Sequence, residues 1–347
     1  MKSMEEKMKI SLNRRGFLKW IGAVGLGLSP LAFAPPIRDG LLGNRLVSVS
    51  RTRPLMGTFV TVTVLDASKN RAVAAVQAAF EEMERLIPLL DHHSSTTPIS
   101  FLNRTGRLAD VPPEIHVLLE RAAYFNHQTN GRFDITVKPI LDLFQDHFSR
   151  TGNPPPGESI ALALRRVGAK DIVHRNREIL FRREGMEITL DGIAKGYIVD
   201  RSILRLKSSG IRNALINAGG DLRALGDKGY GRPWNIAIQD PRDRNRHLQI
   251  IPLKEGAIAT SGNYEIYFDD KKQFHHIIDP ETGYSPQQFV SATILAPSLA
   301  DADALATAAM IPPEETTLGF LRMIPHAEAA LVDGQGTVTR TSGWPVA

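Results

Sequence analysis

The sequence predicts an α+β fold, a mixed and largely antiparallel sheet with packed helices. Strand-like and helix-like segments follow one another in mixed order, without the strict alternation of a doubly wound fold. The strand, turn and helix start at Leu190-Asp191-Gly192-Ile193-Ala194-Lys195-Gly196-Tyr197 carry neither GxxxxGK[ST] nor GxGxxG, which argues against a P-loop or dinucleotide fold. No internal repeat is evident.

Residues 11–34 join consecutive Arg14 and Arg15 to a Gly/Ala/Leu-rich apolar run too short for a comfortable membrane span, which resembles a twin-arginine export signal. Ala32-Phe33-Ala34 has the small-x-small shape of a cleavage site. The expected organisation is a leader over 1–34, a connector over 35–52 and one domain over 53–347. Thr58 to Leu65 alternates like a half-buried strand. From Ser68, AVAAVQAAFEEMERLIPLL has helical spacing, with a polar face of Glu81, Glu82 and Arg85. Asp91 to Asn103 reads as a polar loop leading into another turn of structure, and Pro113 to Gln128 as a helix closed by Asn130-Gly131. GRFDITVKP reads as a Gly-opened strand containing Asp134 and stopped by Pro139. Further strands are expected at Glu187–Leu190, Asn213–Ala218, Leu222–Gly226, Trp234–Gln239, Gly256–Ala259 and Ser291–Leu295, with helices over Ile193–Ser209 and from near Ser298.

With 347 residues, 42% of them hydrophobic, the chain suits one large or two intimate domains. The leader holds six basic residues against two acidic ones, so it carries +4 of the +5 formal charge. The body is therefore nearly neutral, and no nucleic-acid partner is expected. The absence of cysteine excludes disulfides, zinc–thiolate sites, iron–sulfur clusters, thiol nucleophiles and an acyl-cysteine anchor.

Chemistry concentrates between Thr260 and Thr307. Asp303 and Thr307 lie four apart on a predicted helix and share a face, where a carboxylate and a hydroxyl can hold a hard cation. The plain alternative is a helix start whose Asp301 and Asp303 complement the dipole. Thr260-Ser261-Gly262, after an apolar strand, reads as a turn, either a plain one or a phosphate cradle. His275 and His276 alternate across a strand, so only one reaches a site, as a structural histidine or as an acid or base near neutral pH. Gly192 permits close backbone approach, and Lys195 stands where a helix N-terminus would meet an anion.

Met56-Gly57-Thr58, GRFDITVKP, IAKGY with Asp200 after it, NAGGD, TSGNY, HHIIDPETG and DADALAT occur in an order that resembles the FAD:protein FMN transferases, the ApbE family, over roughly Arg53 to Pro312. The resemblance implies magnesium-dependent transfer of FMN from FAD to a threonine or serine of a flavin-acceptor protein domain, with release of AMP, and a flavin site in a cleft between two intimate lobes. It assigns magnesium to Asp303, Thr307 and the main-chain oxygen of Gly192. It assigns flavin contacts to Met56, His93, Arg132, Phe133, Asp134, Lys195 and Ile277, the pyrophosphate to Thr260, Ser261 and Gly262, and proton transfer or phosphate stabilisation to His276. Where the family has D-L-G this chain has Thr189, Leu190 and Asp191, and Asp191, two residues on, is the candidate replacement carboxylate. His93 stands at a position where the family often has a large aromatic residue. An FAD pyrophosphatase and a non-catalytic flavin carrier are the competing readings. The leader implies export through the twin-arginine translocase to the periplasm, and the protein is not a lipoprotein.

Overall fold

The computed structural model describes residues 46–345 apart from 176, so the expected leader and its cleavage site lie outside the described residues. No helix among the described residues is long and apolar enough to cross a membrane. Along the chain, β1 (Val47–Leu55) and β2 (Thr58–Asp66) are followed by α1 (Lys69–Leu90), α2 (Pro98–Thr105), β3 (Arg107–Leu108), α3 (Pro113–Gln128), α4 (Lys138–Thr151), α5 (Gly157–Leu164), β4 (Ile172–Arg175) and β5 (Glu178–Phe181). Then come α6 (Ala194–Ser208), β6 (Asn213–Ala218), β7 (Asp221–Leu225), β8 (Trp234–Asp240), β9 (Asp243–Leu253), β10 (Gly256–Gly262) and β11 (Phe289–Ala296). The chain closes with α7 (Leu299–Ala309), α8 (Glu314–Met323), β12 (Glu328–Asp333) and β13 (Val338–Arg340).

Eight strands form one antiparallel sheet in the order β1-β2-β6-β7-β10-β11-β12-β13. Helices α1, α6 and α7 cover one face, burying Val60, Val62, Val64, Ile216 and Ile294 in the main core. The β8–β9 ribbon covers the other, packing Trp234, Ile236, Ile238, Ile251 and Leu253 on Ala224 and Ile258. A third apolar cluster, Ile140, Phe144, Ile160 and Ile278 with Phe148, Phe268 and Phe274, builds a small lobe from α4, α5 and the loop after β10. Ile277 belongs to the main core and Ile278 to the small lobe, so the strap carrying His276 runs along the seam.

The structure revises four local expectations. The connector read through residue 52 is in fact an edge strand from Val47, paired with β2 along its whole length. Most of its side chains face solvent, so its apolar alternation is faint, and the Met56-Gly57 turn creates the strand by folding it onto β2. Both turn residues have positive φ, 52° and 71°, as a two-residue hairpin turn requires. GRFDITVKP is not a strand: Asp134 caps a short 3-10 turn by accepting from Thr136 N, and Pro139 sits in the first turn of α4, where its missing N–H costs nothing. Residues 187–190 join no sheet, and the Asn103 amide bonds both the N–H and the C=O of Ile188 at 2.8 Å. Thr260-Ser261-Gly262 is strand, paired with Thr293, Ala292 and Ser291, and the turn starts after it.

His275 and His276 lie in no strand, His275 making only an isolated bridge with Tyr267, but they do occupy different environments. His275 is fully buried, with Nε2–H donating to Pro286 O at 3.0 Å and Nδ1 accepting from Ile277 N at 3.4 Å. Burial lowers its pKa from 6.5 to about 4. Between those values the unfolded chain binds the extra proton and the folded chain does not, so stability is expected to fall as pH drops through that interval. His275→Gln should flatten this part of the curve in thermal melts, and an unchanged slope would place the titration elsewhere.

Candidate active site

The sheet register gathers three distant segments at one end. Val60 pairs with Ala218, Ala218 with Asp221, and Leu222 with Ile258, so the Met56-Gly57 turn, residues 219–221 and residues 260–262 are neighbours. The N-terminus of α6 meets them through Lys195, whose Nζ is paired with the Asp221 carboxylate. The other Asp221 oxygen accepts from Thr260 N at 3.0 Å, and the Thr260 and Thr293 hydroxyls share a hydrogen bond of 3.0 Å.

Helix α7 is held against α6 by backbone contact. Asp200 accepts from Leu299 N at 3.0 Å, Ala300 N at 2.9 Å and Arg223 Nε at 3.1 Å, while Ser298 caps the helix through Asp301 N. A Cβ on Gly196 would lie 2.4 Å from Leu299 O, so only glycine allows this approach. The approach brings Gly196 N–H within 3.2 Å of Asp303 Oδ2. One turn further, the Thr307 hydroxyl donates to Asp303 O at 3.2 Å, and a Cβ on Gly192 would stand 3.1 Å from Thr307 Oγ1 and 3.2 Å from the Phe133 ring. Asp303, Thr307 and the Gly192 turn therefore converge. Asp301 does not join them: it pairs with Arg121 at 2.6 Å. This separates the two acids that the dipole reading had treated alike.

The local charge favours a cation. Asp303 is only 6% exposed, and burial pushes its carboxyl up to about 7 despite the opposing Lys195, with Asp221 and Asp191 adding to the rise. Burial works against the Lys195 ammonium too, but Asp221 and Asp303 overcome it and raise its pKa. Two buried carboxylates, Asp221 and Asp303, thus face one ammonium. With a hydroxyl and a backbone turn beside Asp303, this all-oxygen donor set fits a hard divalent ion such as magnesium.

His276 is half-buried on the seam, and its Nδ1–H donates to Ile266 O at 3.0 Å, which leaves Nε2 as the free base. Burial lowers its pKa, opposed by the hydrogen bond to Ile266 O and by Asp191, with Lys195 adding to the fall. Met56 packs on the main core from the hairpin turn, and Ile277 is buried there. Arg132 donates to Pro312 O at 3.2 Å and leaves its buried Nε without a partner. The Asp134 carboxylate is spent on Thr136 and on Ala169 N at 3.0 Å, so it organises its own turn.

Thr189 is buried, and its hydroxyl accepts from Asp191 N at 3.2 Å. Asp191 is exposed and does not share the Thr189 side, because the segment bends there and strand alternation does not hold. Its carboxylate instead lies 3.6 Å from His92 Nδ1 and 4.0 Å from His93 Nε2. Burial lowers the pKa of His92, with Asp191 opposing. Gly196, Asp200, Asp221 and His92 were not singled out from the sequence as site residues. Gly196, Asp200 and Asp221 enter the sequence reading only as members of the IAKGY and NAGGD motifs and the Asp that follows IAKGY.

The ApbE family model matches residues 56–331, from the hairpin turn to β12. The chain belongs to the ApbE family. It is 30% identical to the FAD:protein FMN transferase of Treponema pallidum, over 86% of this chain and 88% of that one. The FAD:protein FMN transferase of Klebsiella pneumoniae is 31% identical, over 74% and 76%. Among solved structures, the ApbE protein of Thermotoga maritima superposes with a TM-score of 0.77 at 32% identity, covering 85% of this chain and 97% of that one. The flavin transferase ApbE of Vibrio cholerae gives 0.75 at 25% identity, covering 86% and 99%. These ApbE relatives share the α+β architecture with its large antiparallel sheet.

Proposed function

We propose that this ApbE protein is an FAD:protein FMN transferase that uses magnesium to move FMN from FAD onto a threonine or serine hydroxyl of an acceptor protein, releasing AMP. The convergence of the buried Asp303 carboxylate, the Thr307 hydroxyl and the Gly192 turn beside Lys195 carries this reading. Magnesium held by Asp303, Thr307 and the Gly192 carbonyl would neutralise pyrophosphate charge as the bond to AMP breaks. Lys195 adds a fixed positive charge at the N-terminus of α6, where backbone N–H groups also favour an anion. The acceptor oxygen forms a bond to the FMN phosphorus, the bond from that phosphorus to the bridging oxygen breaks, and AMP leaves. The acceptor hydroxyl proton goes to His276 Nε2, the ring nitrogen left open because Nδ1–H donates to Ile266 O. Export of the folded protein by the twin-arginine pathway, with flavinylation outside the inner membrane, completes the proposal and rests on Arg14 and Arg15 ahead of the apolar run.

The test is incubation with FAD and magnesium, with and without an acceptor domain, following flavin fluorescence retained on denatured acceptor. Acceptor-dependent covalent label with AMP release supports the transferase. AMP released equally without acceptor, and no label with it, would replace it by an FAD pyrophosphatase. His276→Asn is expected to lower kcat about a hundredfold or more while changing KM for FAD little, and to remove the acid limb of the pH profile. A profile identical to the parent's would take proton transfer away from His276.

A further inference from the structure

We propose that His92, His93 and Asp191 form a binding site for a divalent first-row transition metal of the zinc type, distinct from the oxygen donors around Asp303. Their ligand atoms all lie within 4.8 Å of one another. Tetrahedral coordination with metal–ligand bonds of about 2.0–2.1 Å places donor atoms about 3.3–3.4 Å apart. The observed separations from Asp191 Oδ1, 3.6 Å to His92 Nδ1 and 4.0 Å to His93 Nε2, are a few tenths of an ångström longer. His93 is exposed, and binding requires its ring to rotate by the remainder.

The backbone under the site is already fixed. Asp91 Oδ1 accepts from His93 N at 2.8 Å, Ser100 Oγ donates to His92 O at 2.8 Å, and the Thr97 hydroxyl donates to Asp91 O at 2.5 Å. Across from it, Thr189 Oγ1 holds Asp191 N. The side-chain donors are uncommitted: among the described residues, neither ring nor the Asp191 carboxylate makes a hydrogen bond. The two rings lie 3.9 Å apart between centroids, tilted by 36°, beside a carboxylate too distant to bond either one. A metal ion satisfies all three at once. Two imidazoles and one carboxylate suit zinc or a neighbouring transition metal, leaving a fourth position to water, whereas magnesium prefers oxygen throughout. Occupancy would tie the loop between α1 and α2 to the turn that carries Gly192.

Zinc chloride is titrated calorimetrically into the chelator-stripped full chain, with magnesium saturating, and cobalt(II) is followed by its visible absorption. One saturable zinc site and visible bands of low-coordinate cobalt are expected. His92→Ala, His93→Ala and Asp191→Asn should each weaken zinc at least about tenfold, since even indirect supports of a metal ligand are worth that much. Asp303→Asn should leave zinc binding intact. His93 and Asp191 are exposed, so their variants keep the core, and circular dichroism checks the fold. Absence of zinc binding overturns the site, as does affinity unchanged by all three substitutions. Loss of zinc only in Asp303→Asn, or only in His174→Ala at the separate His116–His174 contact, also overturns it.

Discussion

Asp303→Asn is expected to yield a folded protein, at least as stable as the parent in metal-free buffer, that transfers flavin about a hundredfold more slowly or worse. The substitution keeps the shape and an oxygen for Gly196 N–H, and removes only the charge. Removing one charge-stabilising group from a phosphoryl-transfer site raises the barrier by ~3 kcal/mol, which is about two orders of magnitude in rate. Stability moves the other way because the carboxyl is pushed up to about 7 in the fold from 3.8 in the unfolded chain. Above the unfolded value that shift disfavours folding, so the neutral amide relieves a cost that the parent carries for function. Transfer kinetics and metal-free thermal melts check both halves. Full activity at saturating magnesium would remove Asp303 from the ligand set, and a collapsed melting temperature would make it a structural residue.

Gly196→Ala is expected to damage fold and site together. The added methyl meets Leu299 O at 2.4 Å, and both atoms belong to backbones, so no side-chain rotation relieves the overlap. The helices must separate, at a cost of roughly 2–4 kcal/mol. Separation also lengthens the Gly196 N–H bond to Asp303 and the Asp200 bonds to Leu299 and Ala300, all of which cross the same contact. Melting temperature should fall by several degrees, and the magnesium concentration for half-maximal activity should rise at least about tenfold. A control at Gly210, a positive-φ position with open space, should lower stability without altering magnesium demand. Equal magnesium dependence in Gly196→Ala and the parent would sever the link between this contact and the site.

The sequence by itself determined whatever depends on local periodicity. Helices α1, α3 and α6, strands β2, β6 and β8, and the shared face of Asp303 and Thr307 follow from repeats of two or of three to four residues, and the structure places them where that periodicity puts them. The tertiary structure alone decided β1, the strand character of Thr260–Gly262 and the helical use of Pro139, because each depends on a partner or on chain direction beyond its own window. It also decided that Lys195, Asp221 and Asp303 form one charge cluster, that Asp134 serves its own turn, and that Asp191 faces two histidines rather than replacing a carboxylate at Thr189. These segments lie far apart in the chain, and only strand register and the glycine-permitted contact of α6 with α7 bring their side chains within reach of one another.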